Sequence, residues 1–343
     1  MKKSICLALV IFIGSISCSP IPKKSSLEYV GSALWTKLHD VKIEGNYAFC
    51  VFKNGLAVLD ISDKTHPALI SQIYTKGGNG LTLSGHLAFI AAAEQGLQIV
   101  DISDPQLPRL VGIYETPGQA EEAVVRGHYL LVADGDSGLQ IIDIADTSKP
   151  AFFSHYDTPG QAKGLTVDGS YVYVADGQAG LEIIKISRLS SPEFIARCDT
   201  PGSAEAVAVK ADYAFVADEA EGLQIIDISN RSQPRIISHF NTPGNAHDLV
   251  LKDNYVLVAN HYEGGLHIIN ISEPESPILA GSFNYPTYNE AWAVTINDHY
   301  AYVVDHFSGL YIVDISQMTK PHLVGSFYTP ASVMDVDLED NYA

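Results

Sequence analysis

The chain is 343 residues long and carries 40 acidic against 21 basic side chains, a formal charge of −19. That balance argues against phosphate backbones and anionic lipid surfaces as partners, because both would repel the chain as a whole. With 46% hydrophobic residues most of the length is expected to fold, and four cysteines are too few for a disulfide scaffold.

The first element is an address. Met1-Lys2-Lys3 is positive, and Ile5 to Ile16 is an apolar run of twelve residues broken only by small ones. A membrane-spanning helix needs about twenty, whereas twelve suits the hydrophobic part of a secretory signal. Ser15 and Ser17 stand where a signal peptidase reads small residues, and Cys18 stands where lipoproteins carry the acylated cysteine. The segment resembles a bacterial lipobox, with Ser15 in place of the usual leucine. We expect residues 1–17 to be a signal peptide, Cys18 to be lipidated and residues 18–26 to be a flexible tether. An exported protein of a bacterial envelope or cell surface follows, touching the membrane only through its anchor.

Residues 27–343 read as one domain of repeats. Gly-Leu-x-x-x-Asp-Ile-Ser recurs, with small variations, from Gly55, Gly96, Gly138, Gly180, Gly222, Gly265 and Gly309. The period is therefore about 42 residues. Each period holds four short runs of β-branched and aromatic residues separated by Gly, Asp, Ser and Pro turns. In the fifth copy the runs are a (206–210), b (213–217), c (223–228) and d (235–240). Runs b and c are apolar almost throughout, so both faces of each four-stranded antiparallel sheet must be buried against other copies. The expected fold is all-β, a β-propeller.

Leu97-Gln98-Ile99-Val100-Asp101 and Leu310-Tyr311-Ile312-Val313-Asp314 resemble the LVIVD repeat of bacterial and archaeal surface proteins. Lys185 and Asn270 depart from its final Asp. The resemblance implies a propeller-type fold and a surface address; it brings no activity and no catalytic residues.

Two flanking segments bear on ring closure. Residues 29–32 match the d run at 323–326, and residues 336–343 match the a–b hairpin at 294–301. They favour eight blades over seven, with the chain truncated inside the last blade. Cys50 and Cys198 then lie three blades apart, too far to bridge, and read as small buried residues.

Antiparallel order puts the b–c and d–a loops on one face, here called the top. Recurrent top residues, such as the Thr-Pro-Gly turns from Thr116, Thr158, Thr200 and Thr242, are read as holding blades together. So is the series Asp134, Asp176, Asp218, Asn260 and Asp305. Function is expected where the repetition breaks. Between copies six and seven the turn becomes longer and aromatic, with Tyr285, Tyr288, Asn289, Glu290 and Trp292. His247, Asp248, His261, Tyr262, His306 and Phe307 lie on neighbouring top positions, and the eleven residues form the candidate ligand site. Rim positions such as His39, Asp40, Glu121, Glu122, Lys163 and Glu205 add carboxylates around the channel mouth. A bound cation is conceivable there, but no tight ligand spacing supports one, so no metal or cofactor is assigned. Glu121 and Glu122 point to opposite faces as strand neighbours and are poorly arranged for paired acid–base work. Gly135-Asp136-Ser137-Gly138 looks like a serine-protease nucleophile but lacks that family's His and Asp context. No catalytic residue is assigned.

The favoured function is a monomeric envelope binding or scaffold module for a protein, peptide or glycan, without nucleic acid. The alternative is an extracytoplasmic hydrolase or lyase with an acid–base or metal site at the mouth.

Overall fold

The computed structural model describes residues 37–262, 264–284 and 290–329. These hold 28 strands, numbered in chain order, in seven four-stranded antiparallel sheets built from consecutive strands. The inner strands are β1 (Leu38–Glu44), β5 (Gly80–Ser84), β9 (Glu122–Arg126), β13 (Gly164–Asp168), β17 (Ala206–Lys210), β21 (Asn245–Lys252) and β25 (Ala291–Asn297). Each touches the inner strands of both neighbouring blades, so they surround a central channel. Runs a, b and d of the fifth copy coincide with β17, β18 (Tyr213–Ala217) and β20 (Arg235–Phe240), and run c ends one residue early, at Asp227.

The period-2 pattern explains the ring. In β2 (Tyr47–Phe52), Phe49 and Val51 pack toward blade 2, while Ala48, Cys50 and Phe52 pack toward blade 7. Seven such apolar layers each join two adjacent blades. The expectation of eight blades is wrong. Tyr302, Val304, Leu310 and Ile312 of blade 7 bury themselves against Leu38, Val41, Ala57 and Leu59 of blade 1, leaving no face for an eighth sheet. The segments that suggested it, 29–32 and 336–343, lie outside the described residues, as do the signal, Cys18 and the tether.

A second set of contacts repeats round the periphery. Ser71 and Ser238, both on outer strands, donate to the carbonyls of Pro105 and Pro274 in the next blade, each at 2.5 Å. At the same position blades 2, 6 and 7 have Gly112, Gly281 and Gly325. A Cβ added to Gly325 would come within 2.1 Å of the Lys64 carbonyl of blade 1. Blade 7 thus seats on blade 1 as blade 2 seats on blade 3, where Gly112 abuts the Thr147 carbonyl. Every outer strand also carries a register shift against its c strand, which twists the exposed edge away from further pairing.

The last Asp of the repeat phrase has a structural task. Asp60, Asp101, Asp143, Asp227 and Asp314 each accept the backbone N–H two residues on, opening the c–d turn. Asn270 does the same through its Oδ1. Lys185 cannot accept, and instead lies 3.9 Å from Glu193. Cys50 and Cys198 are buried and free, and burial pushes both thiols up.

Ring closure gives a direct test. Leu310 and Leu181 occupy equivalent repeat positions in the closing layer and in the layer between blades 4 and 5. Alanine at either should lower unfolding free energy by about 2–5 kcal/mol, read from chemical denaturation. A near-neutral L310A beside a costly L181A would mean that blades 7 and 1 do not meet.

Candidate functional site

The inner strands reach the top face at a channel mouth that forms a cavity of about 400 Å³. The first rim position contributes His39, Asn79, Glu121, Lys163, Glu205, His247 and Trp292, one from every blade. Several rim groups pair across blades. Asn79 Nδ2 donates to Glu121 Oε2 at 2.7 Å, and Lys163 Nζ donates to Glu205 Oε1 at 2.7 Å.

The second rim position alternates between acids and small residues for a physical reason. Asp40 accepts the Leu81 amide of the next blade at 2.8 Å, Glu122 accepts that of Leu165 at 2.8 Å, and Asp248 accepts that of Val294 at 2.8 Å. The receiving blades carry Gly80, Gly164 and Ala293 there, so the carboxylate crosses unobstructed. Glu121 and Glu122 therefore part toward opposite neighbours, as strand alternation requires.

Below them lies a residue that sequence reasoning missed. Lys42 Nζ donates to Asp40 Oδ1 at 3.0 Å. Burial works against its charge, but Asp40, Asp248 and Glu122 outweigh that effect and hold its pKa above the ordinary lysine range. Burial pushes the Glu122 carboxyl up to about 7 and that of Asp248 up to about 6, despite Lys42 nearby. A signal was available: the equivalent positions are Thr82, Val124, Thr166, Ala208, Val250 and Thr295, so Lys42 is the single charge in its column.

On the other side of the mouth the repetition fails, and the reason is visible. In blades 4 and 5, Asp176 and Asp218 are buried clamps. Asp176 accepts Thr158 Oγ1 at 2.6 Å and Gly160 N at 2.8 Å; Asp218 accepts Thr200 Oγ1 at 2.6 Å and Gly202 N at 2.9 Å. Short bridges then tie neighbouring top loops at Ala93–Ala120, Gly135–Ala162, Gly177–Ala204 and Glu219–Ala246. Between blades 6 and 7 no such bridge occurs among the described residues. In blade 6, Asn260 takes the clamp position and turns inward to His267, its Nδ2 lying 3.0 Å from His267 Nδ1. The loop residue with positive φ moves one place on, to Tyr262 at +54°, an unusual backbone for an aromatic residue.

Trp292 is packed among three histidines at this side of the mouth. Its ring stacks on His306 at 4.1 Å, lies 3.8 Å from that of His247, and meets His261 edge-on at 5.0 Å. The His247 ring is held by its Nδ1, 2.9 Å from the Trp292 carbonyl. Burial lowers the imidazoles of His39 and His247 to about 4 and that of His306 to about 2, so all three are neutral at pH 7.

The structure therefore brings His247, Asp248, His261, Tyr262 and Trp292 into the cavity wall. Glu290, His306 and Phe307 sit behind it: His306 is buried under Trp292, Glu290 Oε2 lies 3.1 Å from His261 Nε2, and Phe307 carries the Lys37 ammonium over its ring at 4.6 Å. Tyr285, Tyr288 and Asn289 lie outside the described residues. Ser137 sits in a plain b–c turn, its N–H donating to the Asp134 carbonyl at 3.0 Å.

Seven four-stranded blades around a polar channel mouth define a seven-bladed β-propeller. The chain belongs to the LVIVD repeat family: the repeat matches residues 37–75, 78–116, 117–158, 159–200, 201–242, 243–285 and 289–329, one match per blade. No curated protein matches the sequence. Among solved structures, the chain is similar to a putative 6-phosphogluconolactonase from Bacteroides uniformis, at 12% identity and TM-score 0.67, covering 81% of this chain and 94% of that one. It is similar also to the β-propeller domain of Myceliophteria thermophila Cps50 (Swd1), at 12% identity and TM-score 0.64, covering 78% and 92%. The periplasmic gluconolactonase PpgL of Pseudomonas aeruginosa gives 15% identity and TM-score 0.62, covering 72% and 84%. At these identities the likeness shows the fold alone.

The acidic side of the mouth predicts a pH response. A carboxyl whose pKa is raised by folding contributes stability that is fully present below its unfolded value and lost as pH rises through its folded one. Glu122, moved from an ordinary 4.5 to about 7, should make the melting temperature fall as pH rises from about 4.5 through about 7. Glu122→Gln should flatten that fall in scanning calorimetry. An equal slope in E122Q would clear Glu122 of the effect.

Proposed function

We propose that the protein is an exported, envelope-located binding module whose ligand enters the channel mouth where blades 6, 7 and 1 meet. One observation carries the reading. The recurrent top-face residues are engaged in holding blades, whereas the mouth is ringed by side chains that differ from blade to blade and face open space. A cavity of about 400 Å³ suits a sugar unit or one side chain of a larger partner. Trp292, with His247 and His261 beside it, contributes an aromatic part of the wall, while Asn79, Glu121 and Glu205 offer hydrogen-bonding partners. Among protein, peptide and glycan, that pairing of an aromatic wall with carboxylates and an amide favours a glycan or a polar peptide. Export and anchoring through Cys18 rest on the first 26 residues and complete the proposal.

A specific observation supports a second reading, an extracytoplasmic hydrolase or lyase. Glu122 and Asp248 titrate close to neutrality in the same cavity as Lys42, the kind of poised set that acid–base chemistry uses. Against it, Glu122 and Asp248 each already receive a backbone N–H from the neighbouring blade, a structural employment.

Glycan and peptide arrays probed with the chelator-treated protein separate the readings. We expect retention of one ligand class and at least tenfold weaker binding by Trp292→Ala, since an aromatic anchor at the centre of a site dominates its energy. Retention that W292A leaves intact would move the site away from the mouth. Turnover of a captured ligand that Glu122→Gln abolishes would put the enzymatic reading first.

A further inference from the structure

His261 ends β22 (Tyr255–His261), Glu290 immediately precedes β25, and His306 immediately follows β26 (Tyr300–Asp305). One ligand-type atom from each of the three lies within 4.8 Å of the other two. The frame that holds them is rigid. Glu290 N donates to the buried Asp305 at 2.8 Å, and His306 N donates back to the Glu290 carbonyl at 3.1 Å. The other Asp305 oxygen accepts the amides of Phe307 and Ser308, at 2.9 and 2.8 Å. Asp305 thus fixes the chain on which both Glu290 and His306 ride.

A second observation concerns the polar atoms of this frame. His306 is only 6% exposed, yet neither of its ring nitrogens has a hydrogen-bond partner among the described residues. The His39 ring lies 5.0 Å away, edge-on, and its buried Nε2 is unpartnered too. Buried polar atoms are almost always paired, and an imidazole with two orphaned nitrogens needs a reason. The Glu290–His261 pair and the stacking on Trp292 account for the other groups, not for those nitrogens.

We propose that His261, Glu290 and His306 form a site for a divalent transition-metal ion of the zinc type. Two imidazoles and one carboxylate are the donors such an ion takes, whereas calcium and magnesium call for oxygen. Tetrahedral ligation at the usual zinc distances needs donor atoms about 3.3 Å apart, within small side-chain adjustment of the present set. Three protein ligands leave a coordination position free. His261 also lines the mouth cavity, so that position borders the ligand space. The ion would join blade 6 to blade 7, a junction without, among the described residues, the backbone bridge that ties blades 2 to 6 in sequence. The inference does not require the mouth to take an organic ligand.

Isothermal titration of the metal-stripped full chain with zinc sulfate tests it, with cobalt(II) absorption as a second readout. One saturable equivalent is expected, with visible bands of a four- or five-coordinate nitrogen–oxygen site. His261→Asn and Glu290→Gln should each weaken binding at least tenfold. His66→Asn, at an exposed histidine in a c–d loop on the opposite face, should not change it. Thermal melts by circular dichroism confirm that the variants fold; the conservative E290Q keeps the test open if H261N does not. Absence of a saturable equivalent, or one indifferent to both substitutions, would overturn the proposal. Because the array assay is run in chelator, failure here and failure of the mouth reading are distinguishable.

Discussion

A four-stranded sheet whose two middle strands are apolar on both faces has no stable isolated form. It must be covered on each side, and a repeat whose copies are alike can only be covered by more copies of itself. Every other feature follows from that constraint. The inner strands are forced round an axis, the top loops are forced into a ring, and the last blade must find the first. What fixes the ring at seven is the fit of one particular surface to another, with Tyr302 and Leu310 entering the layer of Leu38 and Gly325 sitting flat on the Lys64 carbonyl.

This is why the architecture was legible in the amino-acid sequence while the blade number was not. Continuous apolarity in runs such as Tyr213 to Ala217 dictates burial of both faces without knowledge of the partner. Closure depends instead on non-local contacts, and local similarity to a repeat says nothing about what a segment packs against. The match of residues 29–32 and 336–343 to a d strand and an a–b hairpin argued for a copy that the layer between blades 7 and 1 leaves no room for.

The site was legible to a similar degree. Repetition separated Asp176 and Asp218, which clamp their turns, from the non-repeating His247, Trp292 and Glu121, which reach the mouth. It did not reveal that Asp40, Glu122 and Asp248 spend their carboxylates on the next blade, because such bonds join residues 41 to 46 positions apart. Nor did it find Lys42, whose meaning comes only from the acids converging on the channel axis. The metal-type cluster escaped for the same reason. Its members lie 16 and 29 residues apart, a spacing no short motif encodes, and the propeller geometry alone brings them together.

A division of labour emerges between the two sides of the molecule. Blades 4 and 5 tie their top loops internally, through the Asp176 and Asp218 clamps and the short backbone bridges. The seam of blades 6, 7 and 1 leaves nitrogens of His306 and His39 unsatisfied and gives up the bridge, a local cost to stability of the kind that functional sites carry. The most direct test is the melting of His306→Phe in metal-free buffer. Phenylalanine keeps the ring against Trp292 and removes two unpaired buried nitrogens, so the account predicts a more stable protein, by about 1–3 kcal/mol. A clear loss of stability would contradict it, because His306 would then be part of the scaffold and the seam would not be the place where this propeller trades stability for function.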